Sequence, residues 1–233
     1  MSDDIEIFVK LLRALDSAGH FPGFIVVGGW SQIVYRKYFR NPPELSTLRT
    51  ADLDILIPRP PRFSHPQQVS KVLMELGYEE ELAGDGSTHY VSKDLNVEFL
   101  ISEIGRGSDK PFRVEALGIN AQQLRLLDML QAHTMIVPFE GLAIRVPDPV
   151  VFAFHKLLVS RRRIIKEKAE KDLLTGRELL SFLIDRPEWR KSVAKHYHAL
   201  PRNRKADLVK IAQKHVPEVL PLLGRDIDEL QHE

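Results

Sequence analysis

The segment RTADLDILIP, residues 49–58, constrains this chain more than any other. Leu53, Ile55, Leu56 and Ile57 are residues a sheet interior takes, and prolines at 58, 60 and 61 close the run, so it reads as a strand over 50–57. Asp52 and Asp54 sit inside it. A carboxylate in an apolar strand loses water, which is costly unless something compensates it. Side chains two apart on a strand share a face, so the two acids look the same way with Cα atoms about 7 Å apart, while Leu53 and Ile55 point into the core. Like charges on one edge repel unless a cation sits with them. Magnesium takes oxygen ligands, commonly one or two carboxylates with waters and substrate phosphates. The plainer alternative is a solvent-facing edge whose acids pair with Arg49 or Arg59.

Two further features join this strand. Glu98 lies in LNVEFLI, another apolar run with an embedded acid, and would complete a triad if the two strands are neighbours; Asp94, in the preceding turn, is the weaker candidate. Upstream, Phe24–Val27 reads as a short buried strand broken by Gly28 and Gly29, with a helix over 31–39. Glycines there let backbone N–H groups approach an anion at a helix N-terminus, and Ser31 could add a hydroxyl to a phosphate oxygen. A lone GG or a lone DxD is weak evidence. Their order, with an acid on a later strand, is more specific.

Apolar spacing predicts helices over 3–18, 66–76 and 121–131, and strands over 78–82, 88–92 and 95–101, with AGDG at 83–86 as a turn. TMIVPFEGLAIRVP reads as two strands joined near Glu140 and Gly141. From Asp148, a good N-cap followed by Pro149, the pattern is mostly helical, and the tail RDIDELQHE reads as frayed or loosely docked. The fold class is therefore α+β: a mixed sheet flanked by helices over 1–146, then a helical domain over 147–233.

Of the 233 residues 43% are hydrophobic, and no apolar run is long enough to suggest a membrane span. The acidic N-terminus lacks the basic start of a signal peptide, and there is no cysteine for a disulfide or thiolate site, so a cytoplasmic protein without membrane attachment is expected. Net charge is +1, but residues 1–100 carry 10 basic against 14 acidic groups and the remainder 23 against 18. The basic excess, in RRRIIKEKAEK and from Arg186 to Lys214, can attract phosphates or nucleic acid, or form solvated helix faces.

The GG turn, the DxD strand and the later acid together resemble the nucleotidyltransferase superfamily with the polymerase-beta-like fold. The closer likeness is to bacterial minimal nucleotidyltransferases related to abortive-infection and toxin–antitoxin proteins. An Arg-Thr pair precedes their acids, as Arg49 and Thr50 do here; PDPVVFAFHKLLVSR matches their lysine helix with Lys156, and EKDLLTGRELL their Lys-Asp helix with Lys171 and Asp172. The resemblance covers roughly residues 20–185 and departs at Trp30, where many relatives carry a small residue.

It implies that Asp52 and Asp54 hold one or two Mg²⁺ ions on a nucleoside triphosphate such as ATP. Glu98 would hold the second ion and help activate an acceptor hydroxyl. Gly28, Gly29 and Ser31 would cradle phosphates, with Arg49, Thr50, Lys156 and Asp172 around the nucleotide. An NMP would pass to an RNA end, a protein or a small molecule, with RNA favoured by the basic half and a cognate antitoxin as a possible partner. Other readings stand beside this one: a non-catalytic nucleotide or partner binder on the same fold, or a glycosyltransferase, whose DxD follows a longer nucleotide-binding region. Residue by residue, Lys156 could be a solvated lysine and Asp172 a cap or inter-helix salt bridge. Trp30 and Trp189 read as packing residues, although Trp30 could stack on a base. His89, His133, His155 and His196 read as core or surface residues.

Overall fold

The computed structural model describes residues 3–21, 23–39, 51–63, 67–105 and 110–224. They fall into two compact units, one running to Pro147 and the other beginning at Asp148.

In the first unit, α1 (Asp3–Ser17) buries Phe8, Leu11, Leu12 and Leu15 along one stripe, as an amphipathic helix must. The buried β1 (Ile25–Val27) leads into α2 (Gly28–Tyr38), which begins at the glycines, three residues earlier than the pattern predicts. Then come β2 (Asp52–Ile57), α3 (Val69–Glu75), β3 (Glu79–Leu82), β4 (Thr88–Val91) and β5 (Asn96–Ser102). The unit ends with β6 (Phe112–Val114), β7 (Ile119–Leu124), α4 (Leu127–Ala132) and the ribbon β8 (Thr134–Phe139) with β9 (Leu142–Pro147).

The main sheet is mixed, in the order β1-β2-β5-β4-β3. β1 pairs antiparallel with β2, β2 parallel with β5, β5 antiparallel with β4, and β4 antiparallel with β3. Beyond the β4 pairing, β5 takes β7 as a parallel neighbour, and β6 pairs with β7. A parallel pair needs a long crossover, and here α3 and the β3–β4 hairpin supply it between β2 and β5. Leu53, Ile55, Val97 and Phe99 are fully or almost fully buried at the sheet's centre.

One expectation fails. Residues 121–124 are the end of a strand, not the start of a helix. Ile119 and Ala121 are buried in period two, and a turn through Leu126, at φ 66°, separates them from the short α4. The apolar positions of this stretch fit both periods, and pairing with β5 decides for the strand.

In the second unit, Asp148 caps α5 (Pro149–Ser160), its Oδ1 accepting from the Val150 and Val151 amides at 2.8 and 3.4 Å. α5 is buried on nearly every side, as its apolar composition requires. α6 (Lys166–Ile184) lies close against it at Gly176, where a Cβ would come within 2.8 Å of Leu157 Cγ. α7 (Pro187–Ala199), α8 (Arg202–His215) and α9 (Leu220–Leu223) follow. The tail at 225–233 lies outside the described residues, among which no helix is long and apolar enough to cross a membrane.

Candidate active site

β1 delivers the chain to Gly28, which opens α2 at φ +66°. That left-handed conformation favours glycine because a Cβ would meet the following carbonyl. The second reason for glycine is outside the backbone: a Cβ at this position would lie 1.9 Å from Asp54 Oδ2. The glycine turn and the acid of β2 are thus packed directly against each other.

Asp54 stands opposite Val27 on one side and Glu98 on the other, and Glu98 stands opposite His89. Facing side chains on neighbouring strands share a face, so Asp54, Glu98 and His89 form one row across three strands. Asp52, two residues before Asp54, joins that face; its Oδ1 accepts from Asn96 Nδ2 at 3.1 Å. All these acids are partly exposed, while Leu53 and Val97 on the opposite face are buried.

Glu98 is held within a wider polar chain. His89 Nδ1 lies 3.6 Å from its Oε1, the two side chains being 25% and 28% exposed. His89 Nε2 lies 3.2 Å from Ser87 Oγ, which donates to Asp85 Oδ1 at 2.6 Å. A serine has one proton to give, and here it goes to Asp85, so Ser87 accepts from His89 and Nε2 carries the ring hydrogen. Gln122 donates to Asp85 Oδ2 at 3.1 Å. Desolvation pushes the Asp85 carboxyl up, but the hydrogen bonds from Ser87 and Gln122 outweigh it and hold the group below the usual carboxylate range. His89 was expected to be a core or surface residue. Its place beside Glu98 depends on the β4–β5 register, which no local pattern states.

Other expected site residues are placed differently. Ser31 is fully buried and donates to the Val26 carbonyl at 3.1 Å, so its hydroxyl faces the interior rather than a phosphate. Helix α2 turns this residue inward because Trp30, Gln32, Val34 and Tyr35 are buried with it. Trp30 is 2% exposed and stacks on Phe8 at 4.1 Å, which makes it a packing residue and not a platform for a base. Arg59 serves the far end of the strands, donating to Ser102 O at 2.8 Å and Gln123 Oε1 at 3.1 Å. Arg49 and Thr50 lie outside the described residues.

In the helical unit, Lys156 and Asp172 are each other's partners. Lys156 Nζ meets Asp172 Oδ1 at 2.5 Å, and Arg163 Nε donates to Oδ2 at 2.8 Å. Burial alone would raise the Asp172 pKa; the two cations outweigh it and hold the carboxyl below its ordinary value. The pair bridges α5 and α6, the inter-helix salt bridge weighed above. His155 is a core residue, kept neutral by burial with its pKa lowered to about 3, and His196 faces Asp148 Oδ2 at 3.5 Å.

Asp52, Asp54 and Glu98 offer oxygen donors alone, the chemistry a hard cation selects. Among the described residues no three His, Asp or Glu side chains converge as a ready-made metal cluster.

A family model for nucleotidyltransferases matches residues 6–200. The chain belongs to that nucleotidyltransferase family. Its fold is that of the family as well: an antigenic nucleotidyltransferase-like protein from Paracoccidioides brasiliensis superposes with a TM-score of 0.52, covering 100% of this chain and 99% of that one at 13% identity. The antibiotic-resistance factor ANT(2'')-Ia in solution gives a TM-score of 0.42 at 14% identity over 83% of this chain and 97% of its own. No curated protein matches the chain.

Proposed function

We propose that this family member transfers a nucleoside monophosphate from a nucleoside triphosphate to an acceptor hydroxyl and releases pyrophosphate. One observation carries the reading: Asp54, packed against the Cα of Gly28, stands in register with Glu98 on the neighbouring parallel strand, with Asp52 on the same face. A turn that presents backbone N–H groups to an anion therefore lies against the carboxylates that would balance a cation.

Asp52 and Asp54 would hold Mg²⁺, with Glu98 beside them as the third acid. Such a metal, when bound, neutralises triphosphate charge and stabilises the leaving oxygen. The residues' own part is then definite. Gly28 and Gly29 admit the phosphates to the backbone at the head of α2. Asn96 orients the Asp52 carboxylate through its 3.1 Å hydrogen bond. Glu98 receives the acceptor's proton as the acceptor oxygen bonds to the α-phosphorus and the bond to the pyrophosphate oxygen breaks. His89, fixed by Ser87, holds the neighbourhood of that carboxylate.

Residues 148–224 carry 17 lysines and arginines against 9 acids, a balance of +8. That charge supports an RNA end as the acceptor ahead of a protein or small molecule. ATP as the donor, a cytoplasmic setting and a cognate antitoxin belong to the same proposal.

The test is a labelling reaction. Purified protein, Mg²⁺ and each α-labelled triphosphate are incubated with total cellular RNA and protein, beside Asp52→Asn and Asp54→Asn. Label entering one pool with the native chain and neither variant is the expected result. Unchanged Mg²⁺-dependent triphosphate binding in both variants would remove the metal assignment. Metal-dependent binding without transfer to any acceptor would leave a non-catalytic nucleotide binder.

A further inference from the structure

A cavity of about 400 Å³ opens in the helical unit, where the end of α5 meets the first turns of α6 and the last turns of α8. Ala169, Leu173 and Ile211 give it an apolar wall, and Arg161, Lys210 and Lys214 bring cations to it. Its volume is in the range of small-molecule sites, about 300–1,000 Å³.

The charges there are unevenly balanced. Arg161 is paired with Asp207 at 3.0 Å, and Glu170, the acid at the cavity, lies 3.7 Å from Lys166. Lys210 and Lys214 have no carboxylate within 4.0 Å among the described residues, and neither has Arg177. The two lysines are one helical turn apart on α8, a spacing at which like charges repel. His215, which also lines the cavity, is held below its ordinary pKa by burial first and then by the charges of Lys214 and Arg177. The fold thus sets two lysines without a carboxylate partner among the described residues at the edge of an apolar-walled hollow.

We propose that this cavity binds a small phosphorylated molecule, with its phosphates at Lys210 and Lys214 and its body on the wall of Ala169, Leu173 and Ile211. Lysine binds phosphate as a point charge, and the wall would exclude water from one side of the ligand. A small molecule fits better than a polynucleotide because the two lysines of α8 edge a concavity whose apolar wall is drawn from both α6 and α8. A polynucleotide favours a stripe of charge along an exposed face. Lys191 and Lys195 on α7 have the same one-turn spacing and are exposed as Lys210 and Lys214 are, but do not line the cavity. They serve as the control.

Calorimetric titration of the full chain carrying Asp52→Asn and Asp54→Asn, in a chelator, isolates this site from the acids of the sheet. ATP and pyrophosphate should bind and adenosine should not. Lys210→Gln with Lys214→Gln should weaken binding at least about tenfold, the loss of a direct charge-assisted contact. Lys210→Arg with Lys214→Arg should retain it, which separates loss of charge from loss of fold. Lys191→Gln with Lys195→Gln removes the same net charge and should leave affinity unchanged. Absent binding of ATP and pyrophosphate, equal loss in both glutamine pairs, or binding to an RNA oligonucleotide alone would overturn the proposal. The titration contains no acceptor and no metal, so nucleotidyl transfer could fail its own test and leave this result standing.

Discussion

Gly28→Ala probes the join between the phosphate turn and the acid of β2. The substitution has two separable costs. At φ +66° an alanine accepts the left-handed conformation at about 1–2 kcal/mol. Its Cβ would also sit 1.9 Å from Asp54 Oδ2, so the carboxylate must leave its place. Driving a side chain off its rotamer costs about 0.5–1.5 kcal/mol. Together these predict a destabilisation of about 1.5–3.5 kcal/mol. The assay is urea denaturation of the native chain, Gly28→Ala, Asp54→Ala and the double variant, followed by fluorescence and read as a double-mutant cycle. Removing the carboxylate should return the steric part and leave the backbone part, so the double variant should be more stable than additivity predicts by about 0.5–1.5 kcal/mol. An additive cycle would refute the packing of Asp54 on Gly28. A Gly28→Ala chain as stable as the native one would refute the backbone reasoning too.

Asp172→Asn leaves the part-buried Lys156 without its anion and should cost about 3 kcal/mol, the low end for a buried pair, in denaturant unfolding at pH 7. Because the folded carboxyl titrates below its unfolded value of about 3.9, its contribution is present above that pH and is lost as pH falls through the lower folded value; native and variant curves should converge there. His20 is fully buried against Phe24 and Phe63, and burial lowers its pKa to about 4. Its folded value lies below the unfolded value of about 6.5, so stability should be complete above 6.5 and fall by up to about 3 kcal/mol as pH drops toward 4. His20→Phe should flatten that window in a thermal-melt series. Once an acceptor is identified, His89→Ala should slow transfer by about 10–100-fold with little change in triphosphate binding, the scale typical of a residue that supports a site carboxylate. Equal losses in both would place His89 at the nucleotide instead.

What the sequence made legible was local. Asp52 and Asp54 stand out because carboxylates break an apolar run, and their shared face follows from the period of a strand. The cap at Asp148 and the glycine turn are likewise written in a few consecutive residues. The failures involve direction or register. Ser31 looked inward because the rotation of α2 is set by the buried Trp30, Val34 and Tyr35, not by the motif it follows. Residues 121–124 joined the sheet because β5 offered them a free edge, which apolar spacing cannot foresee. His89 escaped notice because only the pairing of β4 with β5 brings it to Glu98. Arg49 and Thr50, read from the resemblance, lie outside the described residues.

The parallel pairing of β2 with β5 has a consequence for how the chain acquires its chemistry. Asp54 and Glu98 are 44 positions apart, and the segment between them must first fold out of the way as α3 and the β3–β4 hairpin. Contacts of such separation form late, because the intervening loop must be closed before they are rewarded. A growing or partly unfolded chain can therefore carry its aspartates on a formed strand while the third acid is still absent. The acidic row is a property of the closed sheet alone, and its appearance should coincide with cooperative folding rather than precede it.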